Sequence, residues 1–291
     1  MNSGLKRITI GDIVIIIFML LLIAVCILPL MNVLAIGFSD PGAIMRRDVS
    51  FWPIGFNLEA YTTVLTDTRF MRSLGWTAIL TGIVVIVNLA MTVLCAYPLT
   101  FMSLKGRKII SFLIIFTMLF NAGLIPAFIL FRDLRLLDNP LVLILPGMIS
   151  VFNMIIMRNF FLGIPDSLKE SAEIDGAGPF TILIRIYLPL SLPVLATVGL
   201  WYAVGRWNTF ADALFFMPNA PEWHPIQMLL YNIIENNTAF DVADPGATSP
   251  PGWGQSVESA AIFIAMVPIL CVYPFIQKYF VKGATLGAVK G

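Results

Sequence analysis

The segment 164–179 carries the residues best suited to specific chemistry in this chain, and that chemistry is protein recognition. Ser167 and Glu170 have the spacing of a capping box, and Asp166 is an alternative cap, so a short helix should begin there. Gly176 should close that helix, because glycine takes the left-handed conformation of a C-terminal cap at little cost. The sequence therefore predicts a helix of about ten residues followed by a tight turn.

One face of this helix is suited to contact another protein. Leu168 and Ala172 lie four residues apart and share a face, and the small side chains of Ser171 and Ala172 permit close approach. Three acidic side chains flank that face: Glu170, Glu173 and Asp175. The alternative is a solvated amphipathic loop helix, and composition alone favours neither interpretation. Pro179 suits the first turn of a second helix.

The sequence has no recognisable catalytic or metal-binding pattern. It contains no phosphate-binding loop of the form G-x-x-x-x-G-K-[ST] and no Ser-His-acid or His-x-Glu arrangement in a plausible site. His224 is the only histidine, so it cannot build a histidine metal site alone. The chain is therefore expected not to be an enzyme and to hold no metal or cofactor, and any energy it uses must come from another subunit.

The composition identifies lipid as the solvent of this chain. Of its 291 residues, 58% are hydrophobic and only 12% are charged, and the mean hydropathy is +0.89. A soluble enzyme needs more polar surface than this, and the apolar content excludes disorder. A net charge of +1 provides no basic field, so a nucleic-acid-binding protein is also excluded.

Six apolar stretches are long enough to be membrane spans, at about 13–38, 75–103, 109–131, 141–157, 188–205 and 260–277. The first is too long for the core of a cleavable signal, so we expect a retained helix. None of the six stretches contains Asp or Glu, which argues against a proton- or sodium-coupled carrier. Asn121, Gly123 and Pro126 predict a break or kink in the third.

The distribution of charge predicts the orientation of the chain in the membrane. Eleven Lys and Arg residues fall with the two termini and the loops on their side, and seven fall on the other side. Since an excess of Lys and Arg marks the cytoplasmic side, both termini should be cytoplasmic. Loops 39–72 and 207–258 should then be extracytoplasmic, with a short amphipathic helix near 225–234.

The spacing in the segment around Glu170 resembles the EAA loop of ABC importer permeases. Glu170-Ser171-Ala172 is followed by three residues, Gly176, nine residues and Ile186-x-Leu188-Pro189. The family pattern is E-A-A-x3-G-x9-I-x-L-P, and this sequence departs from it only at Ser171, where Ala is usual. Two gaps of fixed length make the match specific.

This resemblance implies an all-α membrane protein: one transmembrane permease domain over 1–291, with the six helices of a type I ABC importer and a cytoplasmic coupling helix in loop 159–189. It implies docking to an ATPase through Leu168, Glu170, Ser171, Ala172, Glu173, Asp175 and Gly176. The implied partners are a second, different permease, two cytoplasmic ATPase subunits that hold ATP and Mg, and an extracytoplasmic solute-binding protein, all at a bacterial cytoplasmic (inner) membrane. By resemblance to maltose-type permeases, Lys290 and Gly291 reach the ATPase interface; a disordered basic tail is the alternative.

Other segments resemble the sugar-importing branch of this family: Arg158-Asn159-Phe160-Phe161, Ile164-Pro165 and Ile174-Asp175-Gly176-Ala177. Segments 120–126 and 282–291 are similar to a sub-branch that handles oligosaccharides of plant or algal polysaccharides, some containing uronic acids as alginate does. The resemblance therefore implies ATP-driven import of an oligosaccharide by alternating access.

Aromatic and polar side chains near the spans are candidate sugar contacts: Asn121, Asn153, Trp201, Tyr202, Trp207 and Asn208. The alternative roles are interfacial anchoring for the aromatic residues and interhelical hydrogen bonding for the asparagines. Arg206 either contacts an acidic sugar or simply ends the fifth span.

Three other functions are open at this point. An ABC permease for another solute, such as a peptide, fits the loop spacing equally well. An ion-coupled secondary carrier conflicts with the lack of acids in the apolar stretches, and a membrane enzyme conflicts with the lack of a catalytic pattern.

Overall fold

The computed structural model describes residues 9–120, 122–236 and 252–288, and for 236, 273 and 275–288 it describes only the helical backbone. The described residues form helices joined by turns and loops and contain no β-strand, so the predicted all-α fold is confirmed. The α-helices are α1 (Ile10–Gly37), α2 (Pro41–Met45), α3 (Glu59–Thr66), α4 (Thr68–Ala96), α5 (Arg107–Leu119), α6 (Leu124–Asp133), α7 (Val151–Leu162), α8 (Asp166–Ile174), α9 (Pro179–Ile182), α10 (Leu188–Leu190), α11 (Leu192–Asn208), α12 (Ala211–Phe216), α13 (Ile226–Asn236) and α14 (Trp253–Ala288). Asn121, Lys290 and Gly291 lie outside the described residues, as does 237–251.

Three stretches of helix are long and apolar enough to cross a membrane: Ile10–Gly37, Thr68–Thr100 and Trp253–Val272. Three pairs of shorter helices pass the same test when each pair is taken together, which gives up to six spans. In the third predicted span, α5 ends at Leu119 and α6 begins at Leu124, so the chain breaks where Gly123 and Pro126 predict it.

The fourth and fifth predicted spans are not single regular helices. Residues 140–147 form two short 3₁₀ turns, and α7 follows them at an angle of 47°. Pro140 and Pro146 lack the amide hydrogens that a continuous helix needs there. The fifth predicted span bends by 83° at Ser191, between Pro179–Leu190 and Leu192–Asn208.

The last helix corrects the prediction that no span carries an acidic residue. That prediction began the sixth span near residue 260, where the apolar run begins, but α14 begins at Trp253 and the membrane-length stretch Trp253–Val272 includes Glu258. The first two turns of α14 contain Gln255, Ser256, Glu258 and Ser259, so a search for continuous apolar sequence misses them. The predicted amphipathic helix near 225–234 is present as α13.

The chain packs as two compact units, the first formed by the described residues of 1–71 and 230–266. In this unit, the rings of Phe38 and Tyr61 stack with their centroids 4.3 Å apart. A Cβ atom at Gly37 would lie 2.8 Å from the Tyr61 hydroxyl, so a larger residue at this position would require the Tyr61 side chain to shift. Tyr61 lies outside the membrane-length helices, and its burial raises the pKa of the hydroxyl to about 12.

The second unit comprises the described residues of 72–229 and 267–291. Its core lies where the end of α4, α7, α11 and the segment between α9 and α10 meet, and it includes Val93, Met157, Leu183 and Val198. This core supports α8, the helix predicted to contact another protein.

Candidate coupling site

Helix α8 begins differently from the prediction. The residue preceding it is Pro165, and no side chain accepts a hydrogen bond at this end, so the capping box of Ser167 with Glu170 and the alternative cap at Asp166 are wrong. Asp166 and Ser167 are already helical, so neither occupies the cap position from which a side chain reaches back. Asp166 in the first turn still stabilises the helix through its charge.

The other end of α8 forms the predicted glycine cap in its complete form. Gly176 has a φ of +79°. Its amide donates to the carbonyl of Glu173 at 3.1 Å, and the amide of Ala177 donates to the carbonyl of Ala172 at 2.9 Å. These two bonds are those of a Schellman motif. A Cβ atom at Gly176 would meet nothing within 4 Å, so glycine is required by the backbone conformation and not by lack of space.

One side of α8 rests on the second unit. The Lys169 ammonium lies 4.5 Å from the centroid of the Phe101 ring and 3.7 Å from a Glu173 carboxylate oxygen. Ala172 and Ala177 are half-buried and pack against the hydrophobic core. Ala172 therefore faces the core of its own chain. The sequence pattern placed it on one face with Leu168, but Leu168 is more exposed.

The other side of α8 and the turn after it present apolar side chains to the surroundings. Ile174 is 86% exposed, Phe180 is 65% exposed and Leu168 is 42% exposed. Exposed polar side chains lie among them: Glu170, Ser171, Glu173 and Asp175. Between the end of α8 and the following helix is a groove of about 480 Å³, with Asp175 and Arg185 among its lining residues.

A cluster of aromatic rings underlies this surface. Tyr97 lies 5.0 Å from Phe101 and 5.0 Å from Tyr187, and Phe161 lies 5.5 Å from Tyr187, with all three pairs edge to face. The Tyr97 hydroxyl donates a hydrogen bond to the Pro179 carbonyl at 3.0 Å. This bond holds the first residue of α9, where Pro179 stands as predicted. The four-residue spacing of Tyr97 and Phe101 is a sequence signal for only one pair in this cluster, because Phe161 and Tyr187 are far away in the chain.

The chain after α9 is irregular before it enters α11. Leu183–Tyr187 form a π-helical turn, which then runs into Leu188–Leu190. Pro189 and Pro193 remove backbone donors on either side of the bend at Ser191. Ser191 is fully buried, and its hydroxyl has no hydrogen-bond partner within the described part of the chain. Irregular helical geometry of this kind is frequent at functional sites.

Three of the six candidate sugar contacts take part in the internal packing of the second unit. The Tyr202 hydroxyl bonds to the Thr92 hydroxyl at 2.8 Å and accepts from the Ser150 amide at 3.1 Å. Trp207 and Asn153 are buried.

Two other candidates are more exposed. The Trp201 ring lies 5.7 Å from that of Phe152 and is 37% exposed. The exposed Asn208 side chain donates to the Val204 carbonyl on its own helix.

Arg206 connects the end of α11 to neighbouring segments through hydrogen bonds. Its side chain is only 6% exposed. It donates to an Asp212 carboxylate oxygen at 2.9 Å, to the Leu143 carbonyl at 3.0 Å and to the Thr209 carbonyl at 3.2 Å. The sequence left two roles open for Arg206, contact with an acidic sugar or ending the fifth span. These contacts agree with the second role.

The family to which these features belong follows from comparison with known proteins. A family model described as "Binding-protein-dependent transport system inner membrane component" matches residues 88–285, which include α8 and the aromatic cluster. This chain belongs to that family. The permease therefore has the predicted fold of a type I ABC importer membrane subunit and is a component of the inner membrane.

Individual relatives of this permease match it over most of its length. The polygalacturonan/rhamnogalacturonan transport system permease protein YtcP of Bacillus subtilis (strain 168) is 41% identical over 276 residues, covering 94% of this permease and 96% of the relative. Protein LplC of the same organism is 42% identical over 270 residues, covering 92% of this permease and 90% of the relative. A chain in the crystal structure of a bacterial ABC transporter involved in the import of the acidic polysaccharide alginate is 32% identical, with a TM-score of 0.84, covering 96% of this permease and 100% of that chain.

Proposed function

We propose that this permease is one of two different membrane subunits of an ATP-driven importer that moves an oligosaccharide across the cytoplasmic membrane by alternating access. Support for the substrate class comes from the relatives, one named for polygalacturonan and rhamnogalacturonan transport and another belonging to an importer of alginate. Both names refer to polysaccharides that contain acidic sugars, so the proposed substrate is an oligosaccharide with uronic acid units.

The observation that carries the coupling part of this proposal is the exposed apolar surface of α8. Ile174, Phe180 and Leu168 expose large apolar side chains on and beside α8, and exposed apolar surface rimmed by polar residues is typical of a protein interaction site. The proposed partner is a cytoplasmic ATPase subunit, which docks on these side chains and on Glu170, Ser171 and the other polar residues beside them. A second ATPase docks on the other permease, and both ATPases hold the ATP and Mg.

The contacts of the elements beneath α8 support a route by which such docking would be transmitted. A displacement of α8 acts on Lys169, which contacts the Phe101 ring, and on Ala172, which packs against the core. It also acts on Pro179, whose carbonyl accepts a hydrogen bond from the Tyr97 hydroxyl. The rings are close-packed, so the cluster moves with the loop instead of deforming around it. The displacement then reaches α11 through the bend at Ser191.

The orientation that follows from this proposal agrees with the charge pattern. If α8 meets a cytoplasmic ATPase, both termini and loop 159–189 lie in the cytoplasm. The parts of loops 39–72 and 207–258 that precede the membrane-length helices at Thr68 and Trp253 then meet the extracytoplasmic binding protein. Lys290 and Gly291 are then on the correct side to reach the ATPase interface. Among the candidate sugar contacts, Asn121, Trp201 and Asn208 are retained as pathway residues, and the buried Asn153, Tyr202 and Trp207 are assigned to shaping the pathway.

Uptake into vesicles tests the proposed function. The complete importer, with both permeases, the ATPases and the binding protein, is reconstituted into proteoliposomes and supplied with a labelled galacturonate oligosaccharide. ATP inside the vesicle as the sole energy source should drive uptake, and a proton or sodium gradient should not. Uptake driven by the gradient alone would support an ion-coupled carrier, which Glu258 in a membrane-length helix makes worth testing. ATP-driven uptake of a peptide but of no sugar would support the other ABC permease function.

A further inference from the structure

An open groove in the first unit is lined by both polar and apolar side chains. It lies between α1, α13 and the first turns of α14 and has a volume of about 450 Å³. Val33, Ile36 and Ile233 supply apolar surface, while Gln255, Glu258 and Ser259 supply polar surface. A volume of this size is within the range of sites that bind small molecules.

The polar side of the groove is formed by one face of α14. Glu258 and Ser259 are three and four residues beyond Gln255, so the three side chains lie on the same side of the helix. Within the described part of the chain, the carboxylate of Glu258 accepts no hydrogen bond and forms no ion pair. It is half-buried and lines the groove, and the side chain of Gln255 is exposed.

The position of this carboxylate points to a polar occupant of the groove. Glu258 lies within the membrane-length stretch Trp253–Val272, about 7.5 Å along the helix axis from its first residue. Acidic residues in such stretches are costly unless they face a water-filled cavity or meet a partner. A lipid chain is a poor occupant because it offers the carboxylate no donor. No group of three His, Cys, Asp or Glu residues suitable for a metal ion occurs among the residues described.

We propose that this groove is a sugar-binding subsite that takes a neutral, hydroxyl-bearing sugar unit of the transported oligosaccharide. The Glu258 carboxylate accepts hydrogen bonds from sugar hydroxyls, and the Gln255 amide both donates and accepts. Val33 and Ile36 pack against the C–H face of the ring. A uronate carboxylate in the same place would be repelled by Glu258, so the site selects a neutral unit within an otherwise acidic chain. This inference rests on the proposed function.

Charge reversal at Glu258 tests the selectivity. The complete importer in proteoliposomes is supplied in parallel with a neutral galactose trisaccharide and with a galacturonate trisaccharide, and initial uptake rates are measured with ATP. The same binding protein is used throughout, so a change in the ratio of the two rates between variants comes from the permease. Glu258→Lys should lower the neutral-to-acidic ratio by at least about fivefold, and Glu258→Gln should lower it less.

The control is Asp133→Lys, which makes the same charge change on an exposed residue outside the groove and outside the loops proposed to contact the binding protein, and it should leave the ratio unchanged. An unchanged ratio in Glu258→Lys with uptake retained would overturn the inference. Loss of the second permease from the purified Glu258→Gln complex would also overturn it, by assigning Glu258 to an interface between subunits. If the unaltered importer transports neither sugar, the proposed function fails and the inference fails with it.

Discussion

Replacing Gly176 should uncouple ATP hydrolysis from transport, because this residue alone at the end of α8 requires a positive φ. At φ +79°, a residue with a Cβ atom costs about 1–2 kcal/mol relative to glycine. Since that Cβ atom would meet nothing within 4 Å, no steric term adds to this cost for Gly176→Ala. We therefore expect the closing turn of Gly176→Ala to be about tenfold less populated relative to its open form.

Proline at this position should have a larger effect. Pro fixes φ near −65° and removes the amide that donates to the Glu173 carbonyl, so the Schellman motif cannot form in Gly176→Pro. The last turn of α8 then opens, and Ile174 and Asp175 are no longer presented in a fixed geometry. Coupling should be lost completely in Gly176→Pro and partly in Gly176→Ala.

The assay is ATP hydrolysis by the reconstituted importer with and without sugar-loaded binding protein. Membrane insertion should be normal in both variants, because Gly176 lies outside the membrane-length helices, and it is checked by the yield of purified permease. Gly178→Ala is the matched control, since Gly178 is in the same loop, has a φ of −71° and has no atom within 4 Å of an added Cβ. Sugar-stimulated hydrolysis at the unaltered rate in Gly176→Pro would refute the assignment of this loop.

Three further substitutions test other parts of the structure. Glu170→Lys should reduce the amount of ATPase that co-purifies with the permease, because it reverses an exposed charge on the proposed docking surface; undiminished recovery would remove Glu170 from that surface. Tyr97→Phe should destabilise the anchoring of Pro179 by about 1 kcal/mol through loss of one hydrogen bond and should lower coupled ATP hydrolysis while leaving ATPase binding intact; equal loss of both would mean that Tyr97 acts on docking itself. Arg206→Met should cost about 2–4 kcal/mol, because it leaves Asp212 and a buried carbonyl without their donor, and a melting temperature in detergent equal to that of the unaltered permease would contradict this role.

Predictions from the sequence succeeded where a local rule depends on one residue type. Gly176 ends α8 because few other residues adopt a positive φ, and Pro179 begins α9 because a proline at the first helical position loses no hydrogen bond. The break between α5 and α6 follows from Gly123 and Pro126 in the same way. The EAA spacing and the apolar stretches were sufficient to predict the family and the all-α membrane fold, because each of these features is contained within one continuous segment of the sequence.

Predictions failed or stayed open where the sequence allowed more than one arrangement of a side chain. Ser167 with Glu170 is a valid capping pair in sequence, but the cap position is occupied by Pro165, two residues earlier, so these side chains are already inside the helix. The sequence left two roles open for Arg206, and the positions of Leu143 and Asp212 decide between them. Leu143 is 63 residues away in the chain, so no local pattern contains this information.

What the sequence by itself determined is the solvent of the chain, its helical class and the place of the loop that resembles a coupling loop, because hydropathy and glycine or proline positions act over one or two helical turns. Only the tertiary structure decided which side of α8 is free, since Ala172 faces the core and Ile174 does not. It also decided that Glu258 lies inside a membrane-length helix and lines a groove with Val33 and Ile36. The physical reason is that exposure and cavity shape arise from contacts between segments that are far apart in the chain.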